Sequence, residues 1–106
     1  MSKSNQVITP PSKFFLAIDT NGRFTLSKAV WVALGEPEEL YFQFEFSKYN
    51  RLFIQLNRGK SWFQRRGTRF EFQSLPTAKK VSQLFGVKLH CRLNVEIKGN
   101  VLICTP

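Results

Sequence analysis

Leu40, Phe42, Phe44 and Phe46 alternate with Tyr41, Gln43 and Glu45, and a period of two puts the four apolar side chains on one face of a β-strand. Beyond Ser47-Lys48-Tyr49-Asn50 the alternation resumes as Leu52, Ile54 and Leu56, the matching face of a hairpin. The end of the chain repeats the signature. Leu89, Cys91, Leu93, Val95 and Ile97 alternate with polar residues, Lys98-Gly99-Asn100 supplies a turn, and Val101 to Cys104 returns. Phe42, Phe44, Phe46, Leu93, Val95 and Ile97 are therefore the expected core.

Upstream of each hairpin the pattern changes. Phe14 to Ile18 is a short apolar run that ends in Asp19-Thr20-Asn21-Gly22, a strand entering a tight turn where Asn21 and Gly22 tolerate positive φ. Ser27 is placed to cap a helix over Lys28 to Leu34, with Gly35 as its stop and Pro37 beyond. About two turns long, that helix needs packing to persist. In the second half, Trp62-Phe63 leads to a turn through Arg65-Arg66-Gly67-Thr68-Arg69-Phe70, then to a short helix opened by Lys79-Lys80 and ended by Leu84-Phe85-Gly86. Residues 13–56 and 60–106 thus read as two copies of strand, turn, helix and hairpin. No linker separates them, so they form one domain, 13–106, preceded by a flexible polar arm over 1–12 that contains Pro10-Pro11.

At 106 residues the chain has room for one modest core. Its 11 phenylalanines favour a packed β-rich globule over disorder. Sixteen Lys and Arg against seven Asp and Glu give a net charge of +9, which points to a polyanionic partner. No apolar stretch is long enough for a membrane span and no signal-peptide core follows Met1, so a cytoplasmic protein is expected, without a membrane partner. Cys91 and Cys104 are too few and too far apart for a zinc motif, and His90 is the sole histidine, so no metal site is expected. Cys91 reads as a buried reduced thiol. Glu36, Glu38 and Glu39 cluster past a helix end with no histidine beside them. There is also no Gly-rich phosphate loop and no nucleophile elbow. A non-enzyme with no cofactor and no small-molecule substrate follows.

The most basic window carries Arg58, Lys60, Arg65, Arg66 and Arg69 around Trp62 and Phe63. Cations beside flat rings suit phosphate contact with stacking on unpaired bases. The same two aromatics could equally fill the core of a strand whose polar side is basic. Arg23, Lys28, Lys79 and Lys80 are further candidate phosphate contacts. Asp19 competes for Arg23 through a local ion pair, and a solvated helix face competes for Lys79 and Lys80. Trp31, at i, i+3 with Leu34, reads as core or interface. Tyr41 and Phe53 point away from the hairpin core and could form a patch for a protein partner or self-association.

Gly22-Arg23-Phe24-Thr25-Leu26, the short helix from Ser27 to Gly35 and the hairpin from Leu40 to Leu56 resemble the SpoVT/AbrB-type swapped-hairpin domain. Arg69 to Cys104 is similar to a second, more divergent copy with an insertion around Ser74-Leu75-Pro76-Thr77, as in the tandem arrangement of the MraZ family. The resemblance implies a mainly β fold with two short helices, a barrel in which two pseudo-symmetric repeats interleave their hairpins. It also implies a basic face for the DNA major groove. Ser27 stands where that family commonly has proline. Trp31-Val32 and Ser82-Gln83 stand where its DNA-binding members carry arginine, and Arg23 is the position that carries over, with Arg69 as its counterpart. The expected function is a small DNA-binding transcriptional regulator that contacts phosphates of duplex DNA. The alternatives are a protein-interaction module, antitoxin-like or a phage-encoded inhibitor, and a single-stranded nucleic-acid or RNA-binding protein.

Overall fold

The computed structural model describes residues 13–106 apart from Lys48, Asn50 and Thr68; the expected N-terminal arm lies outside the described residues. The elements run β1 (Phe15–Ile18), β2 (Arg23–Leu26), α1 (Lys28–Ala33), β3 (Glu39–Ser47), β4 (Arg51–Leu56), β5 (Ser61–Arg66), β6 (Arg69–Gln73), α2 (Leu75–Phe85), β7 (Cys91–Lys98) and β8 (Val101–Thr105). Every strand pairs antiparallel with its neighbours. The ring closes in the order β1-β2-β6-β5-β3-β4-β8-β7. The architecture is therefore a closed eight-stranded barrel with two helices. Among the described strands closure leaves no free sheet edge, the usual liability of a β-rich chain.

Alternation decides what fills the barrel. Leu16, Ile18, Phe24, Leu26, Leu40, Phe42, Leu52, Ile54, Leu56, Phe63, Phe70, Leu93, Val95, Leu102 and Cys104 are buried, each at an inward step of its strand. Packed aromatic rings occupy much of the space. Phe42 lies 4.5 Å from Phe63 and 4.9 Å from both Phe44 and Phe72, centroid to centroid, and Phe24 lies 5.3 Å from Phe44. Offset and edge-on contacts of this kind add stabilisation beyond the buried area. Of the six expected core residues, Phe42, Leu93 and Val95 are buried, while Phe44, Phe46 and Ile97 are only half-buried against the cluster. The face is the expected one. For Phe44 and Phe46 the difference comes from strand length: β3 pairs with β5 only as far as Phe42, and past that point it has β4 alone beside it.

Both helices are capped by serine. Ser27 Oγ accepts the backbone N–H of Val30, and Ser74 Oγ accepts that of Thr77. α1 turns Val30 inward and α2 turns Ala78 and Val81 inward. Gly86 ends α2 in the left-handed conformation at φ 63. One expectation is corrected here. Ser74 to Thr77 does not precede a helix opened by Lys79. It is the cap and first turn of an eleven-residue helix, with Pro76 in the first turn, where its missing N–H costs nothing. The strand expected from Leu89 begins at Cys91.

Phe42→Ala should lower the free energy of unfolding by about 3–5 kcal/mol, a large share of a small domain's stability. Phe46→Ala should cost clearly less, because its ring is already partly in water. Urea unfolding of the two variants checks the order, and equal losses would mean that β3 is packed along its whole length.

Candidate nucleic-acid interface

The inward commitments of β2, β5 and β6 leave Arg23 and Thr25, Trp62, Gln64 and Arg66, and Arg69, Glu71 and Gln73 on the outer surface. Register brings them together: Arg23 lies opposite Gln73, Thr25 opposite Glu71, Gln64 opposite Glu71, and Arg66 opposite Arg69. Over these strands runs a groove of about 440 Å³, lined among others by Arg23, Lys60, Trp62, Gln64, Arg66 and Glu71. It draws three of the expected basic residues to one place from three elements, the start of β2, the β4–β5 connection and β5.

The turn that delivers Arg23 is tightly held. Asp19 Oδ1 accepts the backbone N–H groups of Asn21 and Arg23, each at 2.9 Å. Gly22, at φ 83, accepts the N–H of Ser74 at 2.8 Å, and a Cβ on it would stand 2.4 Å from Leu75 Cα. Only glycine fits there. The expected Asp19–Arg23 ion pair is absent among the described residues. The Asp19 carboxylate spends its lone pairs on the backbone instead. The hydrogen bond from the Arg23 N–H, ahead of that from Asn21 and the positive charges nearby, lowers its pKa below the usual carboxylate range, against the opposing pull of burial.

Glu71 sits between two arginines, 3.8 Å from Arg66 Nε on one side and 3.8 Å from Arg69 Nη1 on the other. Its side chain is 10 % exposed, whereas those of Arg66 and Arg69 are 69 % and 65 % exposed. The carboxylate is held under the two guanidinium groups while most of each stays in water.

Alternation separates Arg65 from Arg66. Arg65 turns to the other side of β5, where Nη1 donates to Glu38 Oε1 at 3.2 Å, Nε donates to the Gly67 carbonyl at 3.1 Å, and the guanidinium lies 5.1 Å from the Trp31 ring centroid. Trp31 in turn donates its indole N–H to the Pro37 carbonyl at 2.9 Å. Arg65 and Lys28 share a second groove there, whose acidic side is Glu36 and Glu38. That mixture of signs suits an anion less well than the first groove. Arg58 is exposed on the β4–β5 connection, one residue from Gly59 and two from Lys60. Lys79 is exposed on α2, and Lys80 places Nζ 4.3 Å from the Phe46 ring centroid, a cation–π contact between helix and barrel. Neither lysine reaches the groove.

The two readings of Trp62-Phe63 divide between the residues. Phe63 is fully buried and Trp62 is 43 % exposed. Tyr41 lies directly across the β3–β5 ladder from Trp62, with ring centroids 5.8 Å apart. Phe53 is half-buried on β4 opposite Glu45 and Ile103, so it does not join Tyr41 in one patch. Tyr41's place beside Trp62, and Glu71's between the arginines, escaped sequence reasoning. The polar steps Gln64 and Arg66 do mark Trp62 as outward, since all three share one strand face.

Burial pushes the Cys104 thiol up to about 12 and desolvation raises that of Cys91, so both are neutral near pH 7. Among the described residues no cluster of three His, Cys, Asp or Glu side chains could hold a metal ion, and no helix is long and apolar enough to cross a membrane. No protein-family model, curated protein or solved structure matches the chain.

Asp19→Ala should destabilise the fold at neutral pH by releasing the two turn N–H groups. The sign with pH follows from the lowered carboxyl pKa. The wild-type advantage is full above the unfolded carboxylate's pKa of about 4 and disappears as the pH falls through the lower folded-state value. Urea midpoints of both proteins from pH 7 to pH 2 should converge at the acid end. A gap that stays constant would mean the side chain stabilises the turn without its charge.

Proposed function

We propose that the chain is a non-enzymatic DNA-binding protein that grips backbone phosphates along the groove over β2, β5 and β6, on a barrel made of two interleaved AbrB-type repeats. The observation that carries this reading is the convergence of Arg23, Lys60 and Arg66 in one groove, with Arg69 beside them, against the single carboxylate of Glu71. Arginine forks and a lysine point charge are the usual phosphate donors of such surfaces. The resemblance adds duplex DNA as the target, a cytoplasmic setting and transcriptional regulation as the use.

The scaffold part of the reading is supported by the ring order. Exchanging β1 with β5, β2 with β6, β3 with β7 and β4 with β8 turns the ring into itself read backwards. Each hairpin of residues 13–56 also lies between two strands of residues 60–106, the interleaving that a swapped-hairpin pair requires. The serine caps at Ser27 and Ser74 and the glycines at Gly35 and Gly86 fall at corresponding places.

The test is a salt titration of binding to duplex DNA, single-stranded DNA and RNA, followed by anisotropy. Each phosphate contact displaces roughly one condensed counterion, so replacing Arg23, Lys60 and Arg66 with Gln should weaken binding about equally for all sequences. For duplex it should also flatten the log–log salt slope by up to about three units. Folding should change little, since Lys60 and Arg66 are exposed and the turn holds half-buried Arg23 through its backbone N–H. Wild-type affinity and slope in the triple variant would move the contacts elsewhere, and absence of binding at low salt would end the proposal.

A further inference from the structure

The groove holds more than a phosphate-binding face needs. Trp62 lines it together with Arg23, Lys60 and Arg66, and Tyr41 stands next to Trp62 on the same outer surface. The two rings are tilted by 40° to one another and are 46 % and 43 % exposed, Tyr41 and Trp62 respectively. The barrel interior could have taken an apolar side chain at either step only by a slip of register, so both rings are committed to the surface. Flat aromatic faces beside cations are the elements of a base-stacking platform.

The rest of the ring makes the contrast. On the proposed repeat reading, β5 and β3 correspond to β1 and β7. There the outward ring is Phe15, and Arg92 lies over it at 4.2 Å from the centroid. That ring is covered by the protein's own guanidinium. Among the described residues the stacking surface is consequently not repeated by the pseudo-two-fold, which is unsuited to the two equivalent half-sites of a palindromic duplex.

A continuous duplex keeps its base faces inside the stack and shows only edges and phosphates. An unpaired strand offers both a base face and a phosphate at each nucleotide. We infer that the groove takes a single-stranded segment of nucleic acid, with one base stacked on Trp62, its neighbour able to reach Tyr41, and the intervening phosphates held by Arg66, Lys60 and Arg23. The groove's volume of about 440 Å³ is on the scale of a small-molecule site and accommodates a nucleotide unit. This rests on the phosphate-contact reading above and replaces the duplex that the resemblance suggested for this groove with a single strand.

The experiment uses the full chain with labelled oligothymidylate of about 12 nucleotides, within the usual span of a single-strand site, and a blunt duplex of equal length at the same salt. The single strand should bind more tightly than the duplex and quench tryptophan fluorescence. Trp62→Ala should lower single-strand affinity by about tenfold or more with an unchanged salt slope, since it removes stacking and no charge. Trp62→Phe should keep most of the affinity while abolishing the quench, because a ring remains but the reporting indole is gone; Trp31, tied to Pro37, then contributes a constant signal. Thermal unfolding of each variant confirms folding. Duplex binding equal to or tighter than single-strand binding, or a Trp62→Ala loss equal for both forms, overturns the inference and leaves the phosphate reading standing. Failure of the wild type to bind either form at low salt overturns both.

Discussion

The constraint on which the rest of this molecule depends is that an eight-stranded barrel has an interior just wide enough to be filled by side chains, and must be filled. Phe24, Phe42, Phe63, Phe70 and Phe72 do much of that filling, with Phe63 and Phe70 stacked at 5.7 Å and Phe63 lying 6.1 Å from Phe72. Once those rings are inside, every other position on their strands is outside. The basic face is the complement of the aromatic core, and the two cannot be moved independently. A slip of one residue in β5 would bring Trp62 inward, expose Phe63 and turn Arg66 toward the opposite side of the sheet. Core packing is thus what holds the groove's chemistry in register, more than any interaction among the charged residues.

A second coupling runs through the β1–β2 turn. Gly22 is pressed against the start of α2, and its carbonyl holds the Ser74 N–H beside the helix cap. Ser74 Oγ meanwhile serves the N–H of Thr77 and lies 2.8 Å from Thr77 Oγ1. The first turn of a helix in the second half of the chain is therefore docked on a turn in the first half, and the Asp19 carboxylate shapes that turn from within. Arg23 inherits its position from this packing. A residue distant in sequence from Lys60 and Arg66 is delivered to them by glycine's small size and one Asx-type turn.

How much of this was legible depends on the range of the interaction. Period-two alternation gave the inward faces of β3, β4 and β7 correctly, and Ser27, Gly35 and Gly86 marked helix ends, because each of these signals is local. α2 starts earlier than the Lys79-Lys80 opening expected from sequence, because Ser74 caps it and Pro76 sits in its first turn, where proline is well suited. Arg65 and Arg66 fall in one basic window by sequence, yet adjacency on a strand means opposite faces. The neighbours of β3 were beyond reach altogether. Nothing in the run from Leu40 to Phe46 specifies that β5 will lie beside it and end pairing at Phe42, and so neither the half-burial of Phe44 and Phe46 nor the meeting of Tyr41 with Trp62 could be foreseen.

Glu71 raises the question of why a face suited to anions should carry a carboxylate. A guanidinium has five N–H donors. Arg66 approaches Glu71 through Nε and Arg69 through Nη1, and both keep most of their surface in water, so donors remain for a phosphate. A free arginine side chain loses about 2 kcal/mol of rotamer freedom when it is immobilised. Tethering both arginines to a nearly buried carboxylate takes part of that loss in the folding step and not in binding, and it points the two forks outward from adjacent strands. The carboxylate reduces the long-range attraction of the face by one charge, but the contact geometry gains definition. On the proposed reading Glu71 is a positioning residue for Arg66 and Arg69, and its negative charge is the condition under which two like charges can be held side by side across the β5–β6 hairpin before any ligand arrives.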